Sequence, residues 1–177
     1  QGIQGSFHHQ VAHRYFGDAI GLDECVTFRD VAYSLKNNQS DKAIMAIENS
    51  IAGAILPNYS LIDSYDLHMI GEHFLDIHMN LMVLPGQTIE DIKEVHSHPI
   101  ALLQCANFFS QYPHIKLVES SDTAITAKRI QENQLTGIGA LGGPLASEIY
   151  KLEIIADGIA PVISPQTRLA ALQASNQ

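Results

Sequence analysis

Basic residues are scarce in this sequence. Its 177 residues carry 10 Lys and Arg against 19 Asp and Glu, a formal net charge of −9. So few cations, scattered along the chain, argue against a nucleic-acid surface, which needs clustered Lys and Arg to meet phosphates. An anionic ligand would be repelled at long range and has to be held by local groups, such as helix N-termini or a single Arg. Cysteine is also scarce: Cys25 and Cys105 form neither a CxxC pair nor a metal-ligand pattern. Two reduced thiols in a cytoplasmic protein are expected. No apolar run reaches the roughly eighteen residues of a membrane span, so no membrane association is expected. No basic-then-apolar leader opens the chain, and no export is expected. The sequence starts on a glycine turn without an initiator Met, which suggests a first strand upstream.

Apolar residues, at 46%, suffice for a sizeable core, in one domain or two small lobes. Short apolar runs alternate with helical stretches, the pattern of an α/β fold. Helices are expected up to about Phe16, from Thr27 or Arg29 to Lys36, within 50–65, and over Ile89–Lys93. Further helices are expected over Pro99–Tyr112, Asp122–Gln134 (capped by Ser120 or Ser121) and Pro144–Lys151. Strands are expected over Ala43–Ile47, Leu67–Phe74, Ile77–Leu84, Glu94–His96, Ile115–Glu119, Gly137–Leu141, Ile154–Ala156 and Thr167–Leu172. Ala174–Gln177 reads as a frayed tail. Two stretches, His73–His78 and Gly158–Gln166, suit crossings between lobes. The division expected is 1–75 plus 160–177 as one lobe and 76–159 as the other, with a ligand cleft between them.

Ser97-His98-Pro99-Ile100-Ala101-Leu102-Leu103-Gln104-Cys105 carries the most chemistry. Ser97 or His98 can cap a helix whose first turn tolerates Pro99. Seven residues separate Ser97 from Gln104, so a helix brings both to one face beside its exposed N–H groups. That surface suits an anion with further polar groups. The plainer reading is a capping Ser and a solvent-facing Gln.

The segment also resembles a motif of the prephenate dehydratases, and other segments match the same family in order. These are Gly5-Ser6-Phe7, Glu48-Asn49-Ser50 with Gly53, Ile70-Gly71-Glu72 with Ile77-His78 and Leu81, Ser121–Ala127, and Thr167-Arg168. Four places depart from the family pattern: Leu169 stands for a Phe, Ser164-Pro165 for an Asn-rich pair, Ile100 for a common Gln and Asn58 for a common Thr. The family usually continues into a phenylalanine-sensing ACT domain, and this sequence stops before one. The resemblance implies two α/β lobes similar to type 2 periplasmic binding proteins. It also implies loss of water and carbon dioxide from prephenate to give phenylpyruvate, in phenylalanine biosynthesis. No metal or organic cofactor is implied, and a homodimer or homotetramer is.

On that resemblance Thr167 sits at the leaving hydroxyl as donor or proton relay. Its neighbour Arg168 points to the opposite face of an extended segment. There it either clamps a carboxylate bidentately or pairs structurally with a carboxylate such as Glu48. Asn49 and Ser50, at the end of a buried strand, either donate to a substrate carboxylate or cap the next helix. Ser97 and Gln104 complete the catalytic set. Ser6, Phe7, Glu48, Ser50 and Thr123 are the substrate-binding candidates. His9 and His13 have ligand spacing on a helix, but no carboxylate pattern accompanies them, and no metal site is expected. Two further readings stay open: an arogenate dehydratase, and a two-lobed module that binds an aromatic or dicarboxylate ligand without turning it over.

Overall fold

The computed structural model describes residues 1–160 and 166–175. In chain order the elements are α1 (Phe7–Phe16), α2 (Phe28–Lys36), β1 (Ala43–Asn49), β2 (Gly53–Ala54), α3 (Leu56–Ser64) and β3 (Leu67–Asp76). There follow β4 (Asn80–Val83), a 3-10 turn (Ile89–Asp91), β5 (Glu94–Ser97), α4 (Pro99–Phe109), β6 (Lys116–Glu119) and α5 (Thr123–Glu132). The last are β7 (Ile138–Gly142), α6 (Pro144–Tyr150), β8 (Glu153–Ala156) and β9 (Gln166–Ala174). Two compact units result. The first takes in the described residues of Gln1–Ile3, His8–Ile77 and Pro165–Gln177, the second those of Gln4–Phe7 and His78–Ser164.

In the first unit an antiparallel sheet runs in the order β2-β1-β9-β3. Strand β9 pairs with β1 on one side and β3 on the other, so its residues alternate between two covered faces. Ala170 and Leu172 join Met45, Ile47 and Leu67 in a core closed by Val31, Ala32 and Leu35 of α2 and Ile62 of α3. Ala171 lies opposite Gly71, and a Cβ added at Gly71 would meet the Tyr15 hydroxyl. Tyr15 belongs to α1, so α1 covers the Ala171 face and α2 and α3 cover the other. Helix α2 starts where Thr27 and Asp30 bond each other's backbone N–H in a capping box.

The second unit is a mixed sheet in the order β6-β5-β7-β4-β8. Strands β6, β5 and β7 are parallel, and β4 runs antiparallel to β7 and β8. Each parallel strand is followed by a helix, the α/β pattern expected from the sequence. Leu81, Met82, Val83, Val95, Ala140 and Leu141 are buried strand residues, and Ala101, Leu102, Cys105, Ala127 and Ile130 are buried on the helices. Gly139 has no room for a side chain, since a Cβ there would sit 2.7 Å from Leu81 Cδ1.

The structure departs from expectation in a few places. The apolar run Ile77–Leu84 forms a strand only over Asn80–Val83, where β7 and β8 offer partners. Helix α5 is capped by Asp122, whose Oδ1 accepts from Ala124 N at 2.6 Å and Ile125 N at 3.4 Å, and not by Ser120 or Ser121. Strand β2 has two residues, too few to leave a periodic signal. Ala174 belongs to β9, where it pairs with Leu67, so the chain is still in the sheet at this point. Ser164 and Pro165 lie outside the described residues.

One part-buried contact gives the first unit an expected pH dependence. Ala46 N–H donates to His8 Nε2 at 3.2 Å, which requires an unprotonated ring nitrogen. Burial holds the His8 pKa well below the ordinary 6.5. Folding thus favours the neutral ring, and the unfolded chain binds the proton more readily. The stabilisation is fully present above pH 6.5 and is lost as the pH falls below it. Urea midpoints compared at about pH 7.5 and about pH 5.5 should fall more for the wild type than for His8→Gln, whose amide oxygen accepts without titrating. Equal falls would show that another group carries the acid sensitivity.

Candidate active site

The ten candidate residues fall into two groups of five, one in each unit. In the first unit β9 returns the chain beside β1, and Asn49 lies directly opposite Thr167. Asn49 is 9% exposed. Its Oδ1 accepts from Ile51 N at 2.9 Å and Ala52 N at 3.2 Å. Those two N–H groups fix which end of the amide points where. The other end, Nδ2, therefore faces Thr167 and donates to Oγ1 at 3.0 Å. With that lone pair taken, the Thr167 hydroxyl proton is left to point away from Asn49. Ser50 exchanges bonds with the start of the same strand. Its N–H donates to Gln166 O and its Oγ accepts from Gln166 N, both at 3.0 Å. Neither Asn49 nor Ser50 caps a helix, because α3 begins at Leu56 with Ile55 as its N-cap.

Thr167 shares the α1 face of β9 with Leu169 and Ala171, and Arg168 shares the opposite face with Ala170 and Leu172. Arg168 Nε and Nη2 donate to Glu72 Oε2 at 2.6 and 2.5 Å, and Nη1 reaches Glu48 Oε2 at 3.4 Å. The Glu72 hydrogen bond, aided by Glu48, raises the guanidinium pKa above its ordinary value. Arg168 and Glu48 are thus engaged with each other, with Glu72 as a third member. The sequence marked Glu72 only as part of a motif. Its role follows from a register that places it two positions along β3 from Phe74, the residue opposite Arg168.

In the second unit two of the candidates stand just beyond the carboxyl ends of parallel strands. Ser97 ends β5 and Thr123 opens α5 after β6. The order β6-β5-β7 puts the reversal of strand direction of growth at β5, and open α/β sheets bind ligands beyond such a point. Ser97 is fully buried (0% exposed) and Gln104 is 6% exposed. His98 caps α4, its Nδ1 accepting from Ile100 N at 3.2 Å, so Ser97 is not the cap. Nor does Gln104 face solvent. Ser97 Oγ and Gln104 Oε1 are both buried without a hydrogen-bond partner. A buried polar atom left unpaired costs about 1–3 kcal/mol, so each of these two atoms calls for an explanation. Ser6 is buried too, on a segment held by the Tyr150 hydroxyl donating to Gln4 O and by Gly5 against Ala146. Phe7 opens α1. Beside Thr123, burial raises the Asp122 pKa above the usual aspartate value, against the two N–H groups it caps.

Cys105, next to Gln104, is an unreactive thiol, its pKa pushed up to about 12 by burial. Cys25 and Cys105 are both free. Among the described residues no cluster of three or more His, Cys, Asp or Glu can hold a metal ion. His13 bonds Asp18 Oδ1 at 3.2 Å. No helix among the described residues is long and apolar enough to cross a membrane.

The sequence model of the prephenate dehydratase family matches residues 1–177. The chain belongs to that family. It is 34% identical over 175 residues to a bifunctional chorismate mutase/prephenate dehydratase of Buchnera aphidicola subsp. Acyrthosiphon pisum, covering 97% of this chain and 45% of the relative. It is 33% identical over 172 residues to arogenate dehydratase/prephenate dehydratase 1 of Arabidopsis thaliana, a chloroplastic protein, covering 97% and 43%. A prephenate dehydratase of Arthrobacter aurescens, solved with L-Phe, matches with a TM-score of 0.88 and 25% identity, over 98% of this chain and 58% of that one. The chain thus spans less than half the length of these curated relatives.

Within this prephenate dehydratase domain the departures from the family pattern have local explanations. Leu169, in place of a Phe, is 1% exposed between Ala46 and His73, so the smaller side chain still fills a core position. Asn58 is buried and its Nδ2 donates to Ala46 O at 2.7 Å, tying α3 to β1. Ile100 is partly exposed on the first turn of α4, where nothing in the structure explains it.

The Arg168 geometry separates two roles by experiment. Lys lacks the planar fork that spans Glu48 and Glu72. If those carboxylates are its main partners, Arg168→Lys lowers the melting temperature and leaves KM near the wild-type value in the folded fraction. A raised KM at unchanged melting temperature would instead assign the guanidinium to a substrate carboxylate.

Proposed function

We propose that this chain catalyses the decarboxylating dehydration of prephenate to phenylpyruvate. The Asn49–Thr167 hydrogen bond carries the reading. Prephenate is a dianion whose ring becomes aromatic when the ring carboxylate and the ring hydroxyl leave. The bond to the carboxylate breaks, its electron pair enters the ring, and the C–O bond to the hydroxyl breaks. The departing hydroxide takes a proton and leaves as water. The driving force lies in the substrate, so the protein has to orient the ring, hold the carboxylates and donate at the leaving oxygen.

In this reading Thr167 makes that donation. A threonine hydroxyl is a weak acid alone, but accepting from Asn49 polarises its O–H outward. Donation at the leaving group is worth about 10²–10⁴-fold. Ser97 and Gln104 offer unsatisfied polar atoms at the strand ends of the second unit, and Ser6, Phe7 and Thr123 stand with them as binding candidates. Ser50 and Glu48 flank Asn49. The helix N-termini of α4 and α5 favour negative charge where Lys and Arg are few. No cofactor enters this chemistry. The free thiols suit the reducing setting of a cytoplasmic protein, and likeness to the family supports a homodimer or homotetramer. Arogenate is a second substrate to consider, since relatives at 32–33% identity carry arogenate dehydratase names.

Purified protein mixed with prephenate at about pH 7–8, above the acid range where prephenate decays unaided, should form phenylpyruvate. Thr167→Ala should lower kcat by about 10²-fold or more with KM within a few-fold, and Thr167→Ser should retain most of kcat. No turnover of prephenate or arogenate by the wild type would leave a binding module. An effect of Thr167→Ala on KM alone would remove Thr167 from the chemical step.

A further inference from the structure

A second hydrogen-bonded chain of side chains lies one residue from Ser97. On β5, His96 Nε2 is 2.7 Å from Glu94 Oε2. On α5, Arg129 Nη2 is 2.7 Å from His96 Nδ1. The His96 side chain is 14% exposed. The partners dictate its protonation. A guanidinium only donates, so Nδ1 must be a bare acceptor; a carboxylate only accepts, so Nε2 must carry the proton. These partners select the Nε2–H tautomer and use both ring nitrogens. The bond from His96 lowers the Glu94 pKa.

We propose that His96 is a positioning residue, which fixes α5 on β5 through Arg129 and so holds Thr123 in place relative to Ser97. The inference rests on the reading of Ser97 and Thr123 as substrate-binding groups. Further bonds join the same elements: Ser120 N–H donates to Ser97 O at 2.8 Å, and Thr126 Oγ1 to Ser120 Oγ at 3.2 Å. Arg129 stands in the last turn of α5 and Thr123 in the first, so the His96 contact anchors the far end of a helix whose near end meets the site.

The charged groups around His96 are Glu94 on its own strand, Arg129 from α5, and Lys116 of β6 opposite Glu94. Strand β7 presents Ile138 and Ala140, which carry no charge. On α5, Lys128 is paired with Glu132.

The test uses His96→Gln, His96→Leu and the wild-type chain. Glutamine keeps a donor for Glu94 and an acceptor for Arg129; leucine keeps only bulk. Leu should raise the prephenate KM about tenfold with kcat within about twofold, and Gln should stay within about twofold on both. Independent of turnover, nitrogen-15 spectra of the wild-type imidazoles should show His96 protonated at Nε2 only, and Arg129→Met should weaken that preference. Hydrogen exchange along α5 should speed up in the Leu variant and not in the Gln variant. A Nδ1-protonated His96, or equal KM and equal exchange in the Leu and Gln variants, would overturn the proposal. Absence of prephenate turnover in the wild type would sink the proposed function instead, with the spectra and exchange still deciding this one.

Discussion

Everything proposed for the first unit depends on where β9 lies. The last strand of the chain pairs with β1 and β3 and so fills the middle of the sheet. This brings together Asn49 and Thr167, which stand 118 positions apart in the sequence. Strand alternation then sends consecutive residues to different faces. Thr167 goes to the face α1 covers, and Arg168 to the face of α2 and α3, where two carboxylates meet it. A register slip of one residue would exchange the two and put the guanidinium where the hydroxyl is needed. The fully buried Leu169, Ala170, Ala171 and Leu172 guard against that slip, because it would turn every one of them out of its packing environment.

Polar groups in the two units are satisfied to different degrees. Asn49 uses both ends of its amide on protein partners, and its orientation is thereby set before any ligand arrives. Preorganisation of this kind matters in catalysis because it costs nothing at the moment of reaction. Ser97 Oγ and Gln104 Oε1, by contrast, are buried and unpaired. Ser97 ends β5, at an edge where α/β sheets place ligands, and Gln104 lies in the helix that follows. With a net charge of −9, an anionic ligand of this chain would have to be held by such local groups.

Much of this was legible in the sequence, for identifiable reasons. Short helices such as Thr27 or Arg29 to Lys36 and buried apolar strands such as β1 were readable from local chemistry. The Ser97-His98-Pro99 segment announced a helix start, and motif resemblance announced the family. Local chemistry could not say that Ser97 is buried while His98 caps, because both residue types cap well; tertiary burial decided it. The Asp122 cap was passed over for the serines before it for the same reason. Glu72 gained its meaning only from the pairing of β3 with β9, a contact across 96 positions that leaves no periodic trace. His96 likewise needed the packing of α5 to meet Arg129, 33 positions on. The two-residue β2 is too short to show any period at all.

The central claim is that Asn49 donates to Thr167 and thereby frees the threonine proton for the leaving group. Asn49→Asp tests it most directly. The variant is isosteric, and one carboxylate oxygen can still accept from Ile51 N and Ala52 N. The other oxygen would face Thr167 as an acceptor and draw its proton inward. Single-turnover rates with prephenate should fall at least about 10²-fold in a variant that keeps the wild-type circular dichroism and binds prephenate within a few-fold. A rate close to that of the wild type would contradict the account, since it would show that the direction of the Asn49–Thr167 hydrogen bond does not matter to the chemistry.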